Sequence, residues 1–213
     1  MIQIYYAYPD IIKESNLDDL TSQLSLRYKS RLAGFKRDED KLLLLTSSVL
    51  LSKILLDNGY NDYEICDLQY SKTGRPFFLD SPFDFNISHT ENCAIVAFSE
   101  SGRVGIDIEK IKDVDFLDFE SIFSDKVWNK IYLSDNKNKM FYYYWTLLES
   151  ALKADGRGLS LISSKKVAIK NDQVIIGGKE WFSHHQNFDS TISCCVTSNK
   201  EDEAILLHEI QFI

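Results

Sequence analysis

Phe83-Asp84-Phe85-Asn86-Ile87-Ser88, Ala94-Ile95-Val96-Ala97-Phe98-Ser99 and Val104-Gly105-Ile106-Asp107-Ile108-Glu109 follow one another through the middle of the chain. Each run is short and rich in β-branched or aromatic residues. Polar breaks separate them, the second containing Gly102, so the three read as consecutive strands. In the third run the side chains alternate. Val104, Ile106 and Ile108 share one face, while Asp107 and Glu109 share the other, about 7 Å apart at a rise near 3.3 Å per residue.

Working outward, Ser71 to Pro76 has the composition of a turn, and Ile65 to Tyr70 precedes it. Asp40 to Leu56 is apolar almost all round, which predicts a core helix stopped by Asn58-Gly59. Leu17, Leu20 and Leu24 fall at helical spacing, and Ile2 to Tyr8 alternates as a strand that Pro9 ends. Downstream, Phe116 to Ile131 and Phe141 to Ala154 read as helices separated by the polar run Ser134 to Lys139. Lys166 to Lys170, Val174 to Ile176, Thr191 to Thr197 and Ala204 to Ile210 read as strands. The order of strand, helices and strands thus occurs about twice. It predicts an α+β protein of two similar halves, residues 1–105 and 106–213, with a ligand site between them.

The 213 residues are 44% hydrophobic and 26% charged, as in a folded globular protein. With 24 Lys and Arg against 32 Asp and Glu, the formal charge of -8 argues against general nucleic-acid binding. Met1 to Tyr6 lacks a basic region before its apolar residues, and no apolar run approaches the roughly 20 residues of a membrane span, so a cytoplasmic location is expected. Cys66, Cys93, Cys194 and Cys195 show no paired spacing, which fits reduced thiols.

Asp107 and Glu109 carry the chemistry. Two ionised carboxylates at that separation repel by about 2 kcal/mol at an effective dielectric near 20, so a positive partner is expected between them. A hard divalent cation answers, and magnesium suits a site where phosphate also binds. Alternation alone describes a solvent-facing polar edge at least as well. In Phe141 to Gly158, the positions Phe141, Trp145, Leu148 and Leu152 form an apolar stripe, and Glu149 and Lys153 project together four residues apart. They offer an oxygen ligand and a positive charge to one substrate, although an ordinary surface ion pair has the same spacing. His89, Ser88 and Thr90 at a strand end carry donors for phosphate oxygens, and Arg75 carries a planar fork that either clamps a phosphate or decorates a turn.

Taken together and in order, Gly74-Arg75-Pro76, Phe85-Asn86-Ile87-Ser88-His89, Val104 to Glu109, and Trp145-Thr146 through Glu149, Ser150, Lys153, Gly156 and Gly158-Leu159 resemble the 4′-phosphopantetheinyl transferases of the surfactin-synthetase-activating type. The resemblance extends from about residue 27 to about residue 165. It implies two pseudo-symmetric halves, each a small antiparallel sheet packed with helices. It further implies coenzyme A as co-substrate, Mg²⁺ bound by Asp107, Glu109 and Glu149, and an acyl or peptidyl carrier protein as partner of a monomeric enzyme. Lys153 and His89 would contact the phosphates, with Arg75 and Ser88 on the nucleotide side. The carrier serine would lose its proton to Glu149 or to a metal-bound water and attack the β-phosphorus, releasing 3′,5′-ADP.

The chain departs from the family pattern at Leu148, and at Leu43 and Leu44, where relatives carry residues that grip the nucleotide. Lys29, Arg31, Lys36 and Arg37 lie upstream, and Lys29 and Arg31 are the candidates for the missing 3′-phosphate contact. The three leucines also motivate a rival expectation, a non-catalytic module that binds a carrier or coenzyme A. A third, a pyrophosphatase acting on coenzyme A, differs only in acceptor. The segment Phe116 to Trp128 offers aromatics that serve either carrier docking or a core.

Overall fold

The computed structural model describes residues 1–9, 26–158, 166–170 and 173–211, with residues 26–28 and 31 described by their backbone alone. The helix expected around Leu17, Leu20 and Leu24 lies outside them. The fold is α+β. The chain forms two compact units, one of Met1–Glu100 with Ala204–Ile213 and one of Ser101–Glu203. Where the sequence suggests one division near residue 105, the first unit takes back the end of the chain.

In the first unit, β1 (Ile2–Ala7) is followed by α1 (Leu26–Gly34) and α2 (Asp38–Asp57). The short pair β2 (Gln69–Tyr70) and β3 (Pro76–Phe77) comes next, then β4 (Asp84–Thr90) and β5 (Cys93–Ser99). The strand β11 (Ile205–Glu209) completes a sheet of order β11-β1-β5-β4. Its pairs are antiparallel except β1 with β11, which run parallel, with the rest of the first unit and all of the second between them in sequence.

The helix α2 begins two residues before the expected Asp40, because Asp38, Glu39 and Asp40 together suit the positive end of the helix. It packs on β5, β1 and β4. The hydroxyls of Thr46, Ser47 and Ser48 are buried yet satisfied, each donating to the carbonyl four residues back at 2.8 to 2.9 Å.

In the second unit, β6 (Val104–Lys110) opens a sheet completed by β7 (Val167–Lys170), β8 (Gln173–Ile176), β9 (Lys179–Gln186) and β10 (Ile192–Ser198). All neighbours are antiparallel, in the order β6-β10-β9-β8-β7. The third of the consecutive strands therefore leaves the first two. Both edges of β5 are taken by β4 and β1, so β6 finds its partner in β10.

The expected helix over Phe116 to Ile131 resolves into a 3₁₀ turn, Phe116–Phe119, and α3 (Asp125–Tyr132). The polar run before Phe141 is the start of α4 (Lys137–Asp155), capped by Asn136, whose Oδ1 accepts from the Lys139 amide at 2.9 Å. Gly156, at φ +83°, ends α4 in the left-handed conformation. The strand β9 was not expected. Its signal was Gly177-Gly178, both at positive φ, a pair suited to the tight turn of a hairpin. No helix among the described residues is long and apolar enough to cross a membrane.

Candidate active site

The second unit brings Asp107, Glu109, Glu149 and Lys153 together. α4 lies across β6 and β10. Gly105 allows the contact: a Cβ there would collide with the Ser150 carbonyl oxygen and the Ala154 nitrogen, and would stand 2.9 Å from the Ala154 Cβ. Helix backbone therefore rests on strand backbone two residues before Asp107.

At that distance Lys153 Nζ donates to Asp107 Oδ1 at 2.6 Å. The Asp107 side chain is 4% exposed and that of Lys153 29%. The alternation read from sequence holds, and its polar face is turned toward α4.

Glu109 and Glu149 are half-buried and feel the same charges. Burial, chiefly, pushes the Glu109 carboxyl up to about 7, with further upward pressure from Asp107 and Glu149. Lys153, and a hydrogen bond from the Trp145 side chain, pull it back. Burial likewise pushes Glu149 up to about 7, with Asp107 adding to the rise and Lys153 opposing it. The sequence pattern sets Trp145 in the apolar stripe. The available sign of its second role was its spacing of four from Glu149, which sets both on one edge of α4 with Lys153.

Among the described residues, no group of three or more His, Cys, Asp or Glu side chains is arranged as a cage for a metal ion. The suitability for a cation lies in the donors. Three hard carboxylates share the field of one ammonium, which bonds Asp107, while burial and repulsion raise the carboxyls of the other two. A divalent cation entering this group would relieve the repulsion.

Crowding of this kind has a cost in stability. The folded-state pKa of Glu149 is raised, so the folded protein binds more protons than the unfolded chain between about pH 4.5 and 7, and stability is lost as pH rises through that window. At pH 8 without divalent cation, Glu149→Gln is expected to melt several degrees above the parent. After discounting for partial exposure the gain is about 1–2 kcal/mol. Thermal melts at pH 8 and pH 5 check this: the advantage should shrink to near zero at pH 5.

The remaining candidates belong to the first unit. Arg75 is buried, and its guanidinium donates to Asp84 Oδ2 at 2.7 Å and to the Phe85 carbonyl at 3.0 Å, tying the turn to the start of β4. Ser88 and His89 stand at the other end of β4 and alternate, Ser88 buried and His89 exposed. Arg37 holds the Asp40 carboxyl below its usual range by hydrogen bonds of 3.0 and 3.2 Å, and the charge of His89 adds a smaller pull, so the end of β4 lies near the start of α2. Lys29 is exposed on α1, while the Arg31 side chain lies outside the described residues.

Leu43 and Leu44 are buried in the core of the first unit and Leu148 in that of the second. Their apolar character has a packing cause, so they no longer motivate a binding-only module. Phe116, Phe119, Phe123 and Trp128 cluster around Phe141 with ring centroids 5.1 to 6.3 Å away, which makes Phe123 and Trp128 core aromatics and packs the half-buried Phe116 and Phe119 against that core.

Residues 103–204, nearly the extent of the second unit, match the family described as the 4'-phosphopantetheinyl transferase superfamily. The chain is 31% identical over 180 residues to the 4'-phosphopantetheinyl transferase ffp of Bacillus subtilis, covering 80% of this chain and 78% of that protein. It is 29% identical over 177 residues to the 4'-phosphopantetheinyl transferase Sfp of Bacillus subtilis strain 168, covering 80% and 78%. To the 4'-phosphopantetheinyl transferase HetI of a Nostoc species it is 29% identical over 168 residues, covering 73% and 69%. A chain that shares this much of its length with such relatives, and sets its acidic strand against α4 within the matched segment, belongs to the 4′-phosphopantetheinyl transferase superfamily.

Proposed function

We propose that this protein transfers the 4′-phosphopantetheine group of coenzyme A to a serine of an acyl or peptidyl carrier protein, releasing 3′,5′-ADP, as an enzyme of the surfactin-synthetase-activating type. The observation that carries the proposal is the meeting of Asp107, Glu109, Glu149 and Lys153 at one contact between strand and helix in a member of this superfamily.

Asp107, Glu109 and Glu149 would hold Mg²⁺, which when bound neutralises charge on the pyrophosphate. Lys153 contributes a partly exposed cation beside the buried Asp107, and is the protein's own donor to a phosphate oxygen as charge builds on it. His89 is proposed as a second phosphate contact. Arg75 and Ser88 serve the nucleotide side, and Lys29 and Arg31 the 3′-phosphate. The serine proton would pass to Glu149 or to a water held by the cation; burial raises the Glu149 carboxyl while no cation is bound, and a cation held there would lower it again.

Incubation with coenzyme A, Mg²⁺ and an apo carrier protein is expected to add one phosphopantetheine mass to the carrier, read by intact-protein mass spectrometry. No gain on any of several acyl and peptidyl carriers would refute the proposal. Appearance of 3′,5′-ADP with no carrier present would replace it with hydrolysis of coenzyme A.

A further inference from the structure

The helix α4 carries two neighbouring stripes, offset by one residue. Trp145, Glu149 and Lys153 form one, and they engage Glu109 and Asp107. Thr146, Ser150 and Ala154 form the other, and all three are buried.

The second stripe meets a matching row on β10. Thr146 Oγ1 lies 3.0 Å from Ser193 Oγ, and Ser150 Oγ lies 2.7 Å from Thr197 Oγ1. Thr197 Oγ1 also lies 2.7 Å from Ser183 Oγ on β9. Strand register extends the match: Ser193, Cys195 and Thr197 stand opposite Glu109, Asp107 and Gly105 of β6. Beside them on β9, His185 stands opposite Cys195 and stacks on Tyr143 of α4 with ring centroids 3.7 Å apart.

Hydroxyl pairs are a directional way to join a helix to a sheet. Apolar contacts alone would let α4 roll or slide with little penalty, whereas two hydroxyl pairs one helical turn apart admit one rotation and one height. Gly105 fixes the third coordinate, the distance from the sheet.

We propose that this hydroxyl seam, with Thr197 as its hub, is a positioning device that sets the rotation of α4, and so presents Glu149 and Lys153 to Asp107 and Glu109 in reacting geometry. Thr146, Ser150, Ser193 and Thr197 are positioning residues and touch no substrate. The proposal rests on the reading of the acidic group as the reacting site, and a misplacement of about 1 Å there costs on the order of 100-fold in rate.

The test separates the two readings by using a signal that needs no activity. The indole N–H of Trp145, assigned with Trp145→Phe, reports its hydrogen bond to Glu109 by proton NMR. Thr197→Val, which removes the hydroxyl at nearly constant volume, is expected to shift the Trp145 resonance and leave that of Trp128, which donates to the Glu120 carbonyl, in place. Well below the melting temperature it should lower kcat at least about tenfold, with the carrier KM within about twofold.

Thr197→Ser should recover both signals. Ser183→Ala, which trims the seam away from α4, should leave the Trp145 resonance unmoved. Ser150→Ala deletes the same contact from the helix side and carries the test should Thr197→Val fail to fold. An unmoved Trp145 resonance together with unchanged kcat in a folded hub variant overturns the proposal, whatever the loss in melting temperature. A shifted resonance in a protein that transfers nothing to any carrier keeps the positioning role and rejects the assigned reaction.

Discussion

Gly105→Ala is expected to lower the melting temperature by roughly 10 °C and to abolish transfer. Gly105 lies within β6 at a backbone conformation open to any residue, so its requirement is space. The atoms that a Cβ would strike are backbone atoms of α4, the Ser150 oxygen and the Ala154 nitrogen, and neither can swing aside. The helix must lift as a body, which opens the core of the second unit and withdraws Lys153 from Asp107. Overpacking of this kind costs about 3 kcal/mol, the upper end for an added methyl group, which for a chain of this size corresponds to the stated shift. Gly102→Ala supplies the contrast. Its Cβ would meet the side chain of Asn199, which can rotate at the loss of its bond from the Arg103 amide. Differential scanning calorimetry of the two variants checks the argument, and a Gly105→Ala protein melting within about 2 °C of the parent would refute the close packing.

Lys153→Met is expected to remove about 3 kcal/mol of stability at pH 8, more than the usual effect of a partly exposed lysine. The methylene stem is kept, so the loss is electrostatic. Asp107, with its side chain 4% exposed, would lose the ammonium 2.6 Å away, and Glu109 and Glu149 would lose the cation that opposes their upward shift. The pH dependence has a definite sign. Both glutamates bind protons in the folded state at pH values where the unfolded chain has released them, so unfolding free energy falls as pH rises from about 4.5 through 7. The variant steepens that slope, and its deficit should shrink between pH 8 and pH 6. Urea unfolding at the two pH values reads this directly, and a deficit that is constant or grows on acidification would contradict it. Transfer should fall at least about 100-fold at either pH.

The sequence disclosed the contents of this site better than its assembly. Period-two alternation put Asp107 and Glu109 on one face, and four-residue spacing put Glu149 and Lys153 on one edge of a helix, because both are local consequences of backbone geometry. The partner of Lys153 was not local. Its ammonium goes to Asp107, and that contact depends on the missing side chain at Gly105, whose value appears only when α4 is laid on β6. The same limit applies to the strands. The break before β6 looks like the break before β5, yet one is a hairpin and the other leads out of the sheet, since the choice is made by β1 occupying the free edge of β5. Arg75 had two readings as a turn residue, and the turn folds back to give it Asp84 and the Phe85 carbonyl. Leu43, Leu44 and Leu148 looked like missing ligand contacts because sequence alone does not tell a core position from a pocket wall.

Calorimetric titration of Mg²⁺ into the protein with coenzyme A present, for the parent beside Glu149→Gln, tests most directly whether the acidic strand and α4 act on one ion. The account predicts saturable binding at one ion per chain in the parent and at least about tenfold weaker binding in the variant, a difference of about 1.4 kcal/mol. Equal affinities in the two proteins would mean that Glu149 and the strand carboxylates do not share a cation, and the proposed chemistry would have to be abandoned.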